Sequence, residues 1–452
     1  MSLLQKYNVA APRYTSYPTV PYWDENSFHL DQWKALLKKS FDASNESEGM
    51  SLYIHLPFCE KLCTYCGCNK HITVNHQVEG PYITALLKEW KLYTDVFDGK
   101  PRIRELHFGG GTPTFFSAAH LGQLLSGIFE TAELLPDAAL SFEGHPNNTT
   151  REHLELLYQF GFRRVSLGIQ DFDPKVQEII NRIQPFETVE AVMKHARETG
   201  FTSINFDLIY GLPLQTINSV TDTIEKVMQL RPDRISFYSY AHVPWIKGVG
   251  QRKYDEADLP KDAEKRKLYE KGRALFTAAG YTEIGMDHFA LPGDELYTAW
   301  NAGSLHRNFM GYTVLHTSLL VGLGASSIGD NWYAYVQNEK STAAYQEKVN
   351  KGEFPVIRGH ILTHEDLLIR GHIHDLMCNF ETSWRKADTQ CDAVMEGIER
   401  LQELEHDGLV EVMPDRVAVT PAGRTFIRNI CMAFDARLWR KLPATQLFSS
   451  AI

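Results

Sequence analysis

No stretch of this 452-residue sequence approaches the roughly 20 consecutive apolar residues that a membrane helix needs. The N-terminal residues MSLLQKYNVAAPRYTSYPTV contain no apolar core and no small-residue cleavage motif, so they do not read as a signal peptide. The expectation is therefore a cytoplasmic protein with no membrane partner. Basic residues are in deficit: 46 Lys and Arg stand against 56 Asp and Glu, a formal charge of -10. General nucleic-acid binders carry the opposite balance, so no nucleic-acid partner is expected. A small anionic substrate stays open, because a basic pocket can sit in an acidic protein. Low-complexity tracts and internal repeats are missing as well. With 43% hydrophobic residues, the chain has the composition of an ordinary globular protein long enough for several domains.

Cysteine is scarce but concentrated. Four of the seven fall within ten residues, at Cys59, Cys63, Cys66 and Cys68, while Cys378, Cys391 and Cys431 are isolated. A disulfide framework would spread its cysteines to staple distant loops. A tight cluster points to metal or redox chemistry.

Residues 1–48 form an arm rich in Tyr, Pro and Trp. It contains the compact run Pro12-Arg13-Tyr14-Thr15-Ser16-Tyr17-Pro18, where two prolines disfavour helix. A strap over the domain surface and a lid are equally compatible with it. From Ser51 onward short apolar runs alternate with helical periodicity. The strand candidates are 51–56, 103–108, 140–142, 164–168, 203–209 and 234–240. Helices are predicted near 81–97, 118–132, 151–160, 186–199, 216–230 and 262–279. Gly161, Gly200 and Gly280 each end a helix before a strand. This alternation predicts an α/β fold with a parallel sheet. Its six units are two short of a closed barrel, so the expectation is a partial (β/α)₆ TIM-like barrel over 49–345. A linker at Asn350–Pro355 then leads into a mostly helical domain over 346–452. There the strands either side of Pro414-Asp415, followed by Thr420 as helix cap and Pro421 at the first helical position, resemble a winged-helix module with a structural role.

The cysteine run is spaced Cys59-x3-Cys63-x2-Cys66, with Cys68 two residues on. Structural zinc normally uses paired Cys-x2-Cys hooks. No second pair is present, although His71 or His76 would in principle complete a zinc site. Three thiolates on one short loop suit three corners of a 4Fe–4S cluster, leaving one iron open. With Tyr65 before the third cysteine, the motif resembles the radical S-adenosylmethionine (SAM) superfamily. Gly109-Gly110-Gly111-Thr112-Pro113 follows the second predicted strand, Glu143 the third, Gln170 and Asp171 the fourth, and Tyr240-Ala241-His242 the sixth; Asp207 lies on the fifth. Strand ends are where such barrels place their active sites.

Longer stretches narrow the resemblance to the oxygen-independent coproporphyrinogen III oxidases of haem biosynthesis. They are Pro12–Pro18, Cys63–Lys70, His107–Pro113, Gly168–Phe172, Asn181-Arg182, Asn205–Pro213, Gly285–Phe289, Leu305–Phe309 and Arg428–Met432. The Cys66-Gly67-Cys68-Asn69 run belongs to this branch. One departure is Glu143-Gly144-His145-Pro146, where the family commonly has Glu-Val-Asp-Pro.

The resemblance implies that Cys59, Cys63 and Cys66 hold the cluster, with Cys68 needed but not a ligand. It implies two SAM molecules at Tyr53, Tyr65, Gly110, Gly111, Thr112, Glu143, Gln170, Arg182, Asp207, Ala241 and Ile328. The implied reaction converts two propionates of a tetrapyrrole into vinyl groups through a 5′-deoxyadenosyl radical. An electron donor and an electron acceptor are its partners, and the protein is expected to be a monomer. Arg13 is expected to meet a substrate propionate. Two rival readings are a haem-directed radical methyltransferase or degradation enzyme, and a haem chaperone without turnover.

Overall fold

The computed structural model describes residues 2–243, 251, 254–443 and 445–451. It divides into two compact units: Ser27–Tyr281 with Leu315–Gly359, and Met1–Asn26 with Thr282–Val314 and His360–Ile452.

The first unit is the barrel. After helix α1 (Leu30–Ser44) come β1 (Met50–Leu56), α2 (Glu79–Thr94), β2 (Arg102–Gly110), α3 (Ala118–Phe129), β3 (Glu133–Gly144), α4 (Arg151–Gln159) and β4 (Phe162–Gln170). Then follow α5 (Pro174–Ile179), α6 (Phe186–Thr199), β5 (Ser203–Tyr210), α7 (Ile217–Leu230), β6 (Arg234–Ser239) and α8 (Asp262–Ala278). Strands β1 to β6 lie side by side in chain order, each parallel to the next. The expected partial barrel is therefore present, and Gly161, Gly200 and Gly280 all take positive φ at the expected helix ends. β3 begins at Glu133, earlier than expected, because its first half carries Pro136 and Asp137 and lacks strand composition.

The sheet also continues past β1. Strand β7 (Leu320–Leu323) pairs parallel to β1, and β8 (Ile328–Asp330) and β9 (Ala334–Asn338) add antiparallel. These strands have three to five residues and no helical crossover, so the strand–helix rhythm did not reveal them.

Strand alternation explains the location of the chemistry. Leu52, Ile54, Phe108, Phe142, Val165, Leu167, Phe206 and Phe237 are buried on one face. On the other phase the register aligns Tyr53 with His107, His107 with Ser141, Glu143 with Ser166, Ser166 with Asn205, and Asp207 with Ser236. A continuous polar surface thus runs across the inner face of the sheet.

The second unit contains α9 (His364–Asn379), β10 (Glu381–Ser383), α10 (Asp392–His406), β11 (Val410–Met413), β12 (Arg416–Val419) and α11 (Ile427–Phe434). The three strands form an antiparallel sheet in the order β10–β12–β11, with the hairpin turning at Pro414-Asp415. Thr420 accepts from the Gly423 N–H at 3.0 Å, but a 3₁₀ turn over Gly423–Phe426 intervenes, so the helix starts at Ile427 rather than at Pro421.

The arm does not stand apart as 1–48. Its first part belongs to the second unit, where Tyr7, Tyr14 and Tyr17 sit in one buried cluster with Ile373, Leu376, Leu401 and Phe434. Arg428 donates to the carbonyls of Ala11, Pro12 and Ser450, and Asn429 donates to that of Tyr7. This is the geometry of a strap, because large aromatic side chains gain most by leaving water. Among the described residues no helix is long and apolar enough to cross a membrane.

Candidate active site

The cysteine loop leaves the C-terminal end of β1 and is fixed at both edges. At its base Phe58–Cys59 pairs with His71–Ile72; the His71 N–H donates to Pro57 O at 2.8 Å and that of Thr73 to Cys59 O at 2.9 Å. On the far side Thr64 donates from N to Ile180 O and from Oγ1 to Ile179 O, both at 3.0 Å, and Asn181 Nδ2 donates to Leu62 O at 2.7 Å. Lys70 Nζ donates to the carbonyls of Cys66 and Cys68.

The glycine run borders the loop directly. Gly111 N donates to Leu56 O at 2.9 Å and Thr112 N to Phe58 O at 3.0 Å, and Thr112 Oγ1 lies 3.3 Å from Cys59 Sγ. Gly110 has φ +118°, and a Cβ there would stand 2.8 Å from the His55 ring. A Cβ on Gly111 would stand 2.5 Å from Pro57 O. The closest neighbours of these glycines are the end of β1 and the loop after it.

A cavity of about 370 Å³ opens over this floor. Cys59, Cys63, Cys66 and Cys68 line it, together with Tyr65, Gly110, Gly111, Thr112, Glu143, Gln170, Arg182 and Asp207. Tyr53, Ala241 and Ile328 are not among its lining residues. Tyr53 Oη is 3.1 Å from His55 Nδ1, Ala241 O accepts from Gln251 Nε2 at 3.0 Å, and Ile328 pairs with Gln337 in the β8–β9 ladder. Arg13 lies in the other unit, ion-paired with Asp287.

Arg182 donates to Gly168 O at 2.6 Å, to Gln184 Oε1 at 3.2 Å and towards Cys63 Sγ at 3.6 Å. Its guanidinium is thereby held between β4 and the cysteine loop. Glu143 Oε2 accepts from Gly110 N at 3.2 Å. Asp207 accepts from Ser166 Oγ at 2.7 Å and from Asn205 Nδ2 at 2.9 Å. Burial pushes its carboxyl up to about 6, against the Ser166 hydrogen bond and with help from the negative charge of Glu143. His145, the departure noted in the sequence, also lines the cavity, as do Ser166, Lys61, Lys70 and Tyr238, which sequence reasoning did not assign to the site. Ser166 was legible in principle, as the polar phase of β4.

The donor set fits an iron–sulfur cluster. All three expected ligand cysteines are free thiols facing one cavity. Among the described residues, no group of three or more His, Cys, Asp or Glu side chains is placed to hold a single metal ion. A zinc site would require that convergence, whereas a 4Fe–4S cluster takes each thiolate at a separate corner.

Residues 53–227 match the family model described as the radical SAM superfamily. The chain is 40% identical over 457 residues to the oxygen-independent coproporphyrinogen III oxidase of Escherichia coli (strain K12), covering 100% of this chain and 98% of that protein. It is 39% identical over 459 residues to the enzyme of the same name from Synechocystis, covering 100% and 97%. The solved structure of coproporphyrinogen III oxidase (HemN) from Escherichia coli, described as a radical SAM enzyme, matches with a TM-score of 0.88 at 40% identity, covering 94% of this chain and 97% of that one. Similarity at this level across the whole length, joined to a cysteine loop, glycine edge and carboxylates around one cavity, places the chain in the family of oxygen-independent coproporphyrinogen III oxidases within the radical SAM superfamily.

Proposed function

We propose that the protein converts coproporphyrinogen III to protoporphyrinogen IX without oxygen, by oxidative decarboxylation of two propionate side chains to vinyl groups. The observation that carries this reading is the convergence of Cys59, Cys63, Cys66, Gly111, Glu143 and Asp207 on one cavity at the C-terminal ends of parallel strands. When bound, the 4Fe–4S cluster and SAM supply a 5′-deoxyadenosyl radical, which can remove a hydrogen atom from an unactivated carbon. For each propionate the β-carbon loses one hydrogen atom, carbon dioxide leaves, and one electron passes to an acceptor. A one-electron donor and an acceptor are the partners this balance requires.

The protein's residues bind and orient. Cys59, Cys63 and Cys66 hold the cluster. Glu143 and Asp207 present acceptors suited to ribose hydroxyls or an ammonium group. Arg182 supplies fixed positive charge beside the cluster loop. Tyr65 offers an aromatic face for adenine, and Cys68 takes part without ligating. We assign a second SAM molecule to this enzyme, with Tyr53, Ala241 and Ile328 as candidate contacts outside the lining of the cavity. Arg13 is a candidate partner for a propionate. The protein acts as a cytoplasmic monomer in this reading.

The test is an anaerobic assay of reconstituted protein with reductant, SAM and coproporphyrinogen III, read by mass spectrometry. The expected result is two successive losses of carbon dioxide and two hydrogens each, with methionine and 5′-deoxyadenosine formed. SAM cleavage that leaves the porphyrinogen untouched would overturn the substrate assignment. Haem bound tightly without SAM cleavage would overturn the enzyme reading. Equilibrium dialysis gives the SAM stoichiometry, and Arg13→Gln should raise KM for the porphyrinogen while leaving iron content unchanged.

A further inference from the structure

His145 is the departure in the Glu143-Gly144-His145-Pro146 run, and it lies on the cavity wall. Its backbone is fixed in a turn: the carbonyl accepts from Asn148 N and Thr149 N, each at 2.9 Å, and from Thr149 Oγ1 at 3.0 Å. Its ring is fixed by the same turn. Asn147 N donates to His145 Nδ1 at 3.1 Å, the bond that a carboxylate oxygen makes in an Asx turn. A ring nitrogen that accepts a hydrogen bond carries no proton. In the neutral imidazole the proton therefore sits on Nε2, which is a donor. The ring stays neutral because burial, reinforced by the positive charges of Arg182 and Lys61, holds its pKa down to about 2. Among the described residues, no acceptor meets Nε2.

The neighbouring groups point to the ligand chemistry. Lys61 lines the same cavity and makes no ion pair among the described residues. Arg182 is bonded to a carbonyl, an amide oxygen and a thiol, and to no carboxylate. The cavity's own acids are engaged elsewhere, Glu60 with His76, Glu143 with Gly110 N, and Asp207 with Ser166 and Asn205. A donor and two cations thus line one cavity, and among the described residues none of them is bonded to a carboxylate.

We propose that His145 donates its Nε2 hydrogen to a carboxylate of a ligand bound in this cavity, with Lys61 supplying charge beside it. This rests on the function proposed above, which offers two carboxylate sources: the methionine moiety of SAM and a propionate of the porphyrinogen. One ring nitrogen keeps the turn, and the other reads the ligand.

Two substitutions separate the two nitrogens. His145→Asn retains an acceptor for Asn147 and removes the far donor. His145→Gln places an amide nitrogen near the position of Nε2 and gives up the turn acceptor. Both would be reconstituted and checked for iron content and thermal melting. SAM Kd is then measured by equilibrium dialysis without porphyrinogen, and KM for coproporphyrinogen III in turnover. Electron paramagnetic resonance of the reduced cluster, before and after SAM, reports binding independently of activity. Wild-type binding and cleavage of SAM test the proposed function itself.

If the inference holds, His145→Asn weakens one constant by about ten- to a hundredfold, the size expected for a hydrogen bond to a charged group, and His145→Gln recovers most of it. A loss in SAM Kd identifies the methionine carboxylate. A loss in KM with SAM Kd unchanged identifies a propionate. Wild-type constants in His145→Asn overturn the inference and leave His145 as a turn residue. Equal impairment of both variants overturns it too, because the far donor would then not be what matters.

Discussion

Asp366, in the unit that holds the strap, accepts from Arg437 Nε at 2.7 Å and Nη2 at 2.8 Å, from Thr363 N at 2.9 Å and from Thr363 Oγ1 at 2.8 Å, with His360 Nε2 at 3.3 Å. Asp207, in the barrel unit, accepts from a hydroxyl and an amide and meets no cation at ion-pair distance among the described residues. Their acidities separate accordingly. Burial raises both, but at Asp366 the bonds from His360, Arg437 and Thr363 outweigh it and hold the carboxyl well below the usual range. At Asp207 burial prevails and the carboxyl rises to about 6. The difference separates an anchor from a site. The anchor is saturated by its own protein, whereas the site leaves electrostatic capacity for something that arrives.

The sharpest test of this contrast is Asp366→Asn. It leaves Arg437 without its buried counter-charge, so it should cost about 3–5 kcal/mol in urea denaturation while SAM Kd stays unchanged. The mirror test in the site is Gly111→Ala. A methyl 2.5 Å from Pro57 O forces the glycine edge away from the cysteine loop. The expected cost is about 1–3 kcal/mol, with reduced iron content after reconstitution. Asp207→Asn should weaken SAM binding about tenfold, roughly 1.4 kcal/mol, while the ligand-free protein keeps or gains stability. A destabilised Asp207→Asn protein with wild-type SAM Kd would erase the distinction.

The smallest effect is in pH dependence, and its sign differs between the two. Asp207 holds its proton in the folded state above the usual carboxylate range, so its contribution to stability declines as pH rises from about 4 to about 6 and is flat above. Asp366 has a depressed folded pKa, so its contribution is full above about pH 4 and is lost as pH falls below it. Chemical denaturation across this range should show each slope vanish in the matching Asn variant.

Much of the barrel was legible because its signals are local. Helix α6 spans Phe186–Thr199 as its 3.6-residue periodicity predicts, and β5 falls where alternation placed it. That Cys59, Cys63 and Cys66 face one cavity was legible because they fall within eight residues on one loop. Other features carried no local signal. Strands β7 to β9 are too short to show a period. The pairing of Ser166 with Asn205 depends on the β4–β5 register, which joins positions 39 apart in the chain. The close approach of Gly111 to Pro57 O was another such feature, because the two residues lie more than fifty positions apart in the chain.

By itself the sequence determined the alternation of strand and helix, the three-thiol loop and the order in which polar residues meet the strand ends. Each of these depends on spacing within a few residues. Only the tertiary structure decided that Tyr14 and Tyr17 belong to the core of the second unit, that Thr64 and Asn181 clamp the cysteine loop, and which nitrogen of His145 is left to donate. Those outcomes depend on which distant groups compete for the same buried hydrogen bond or apolar surface, and spacing along the chain does not encode that competition.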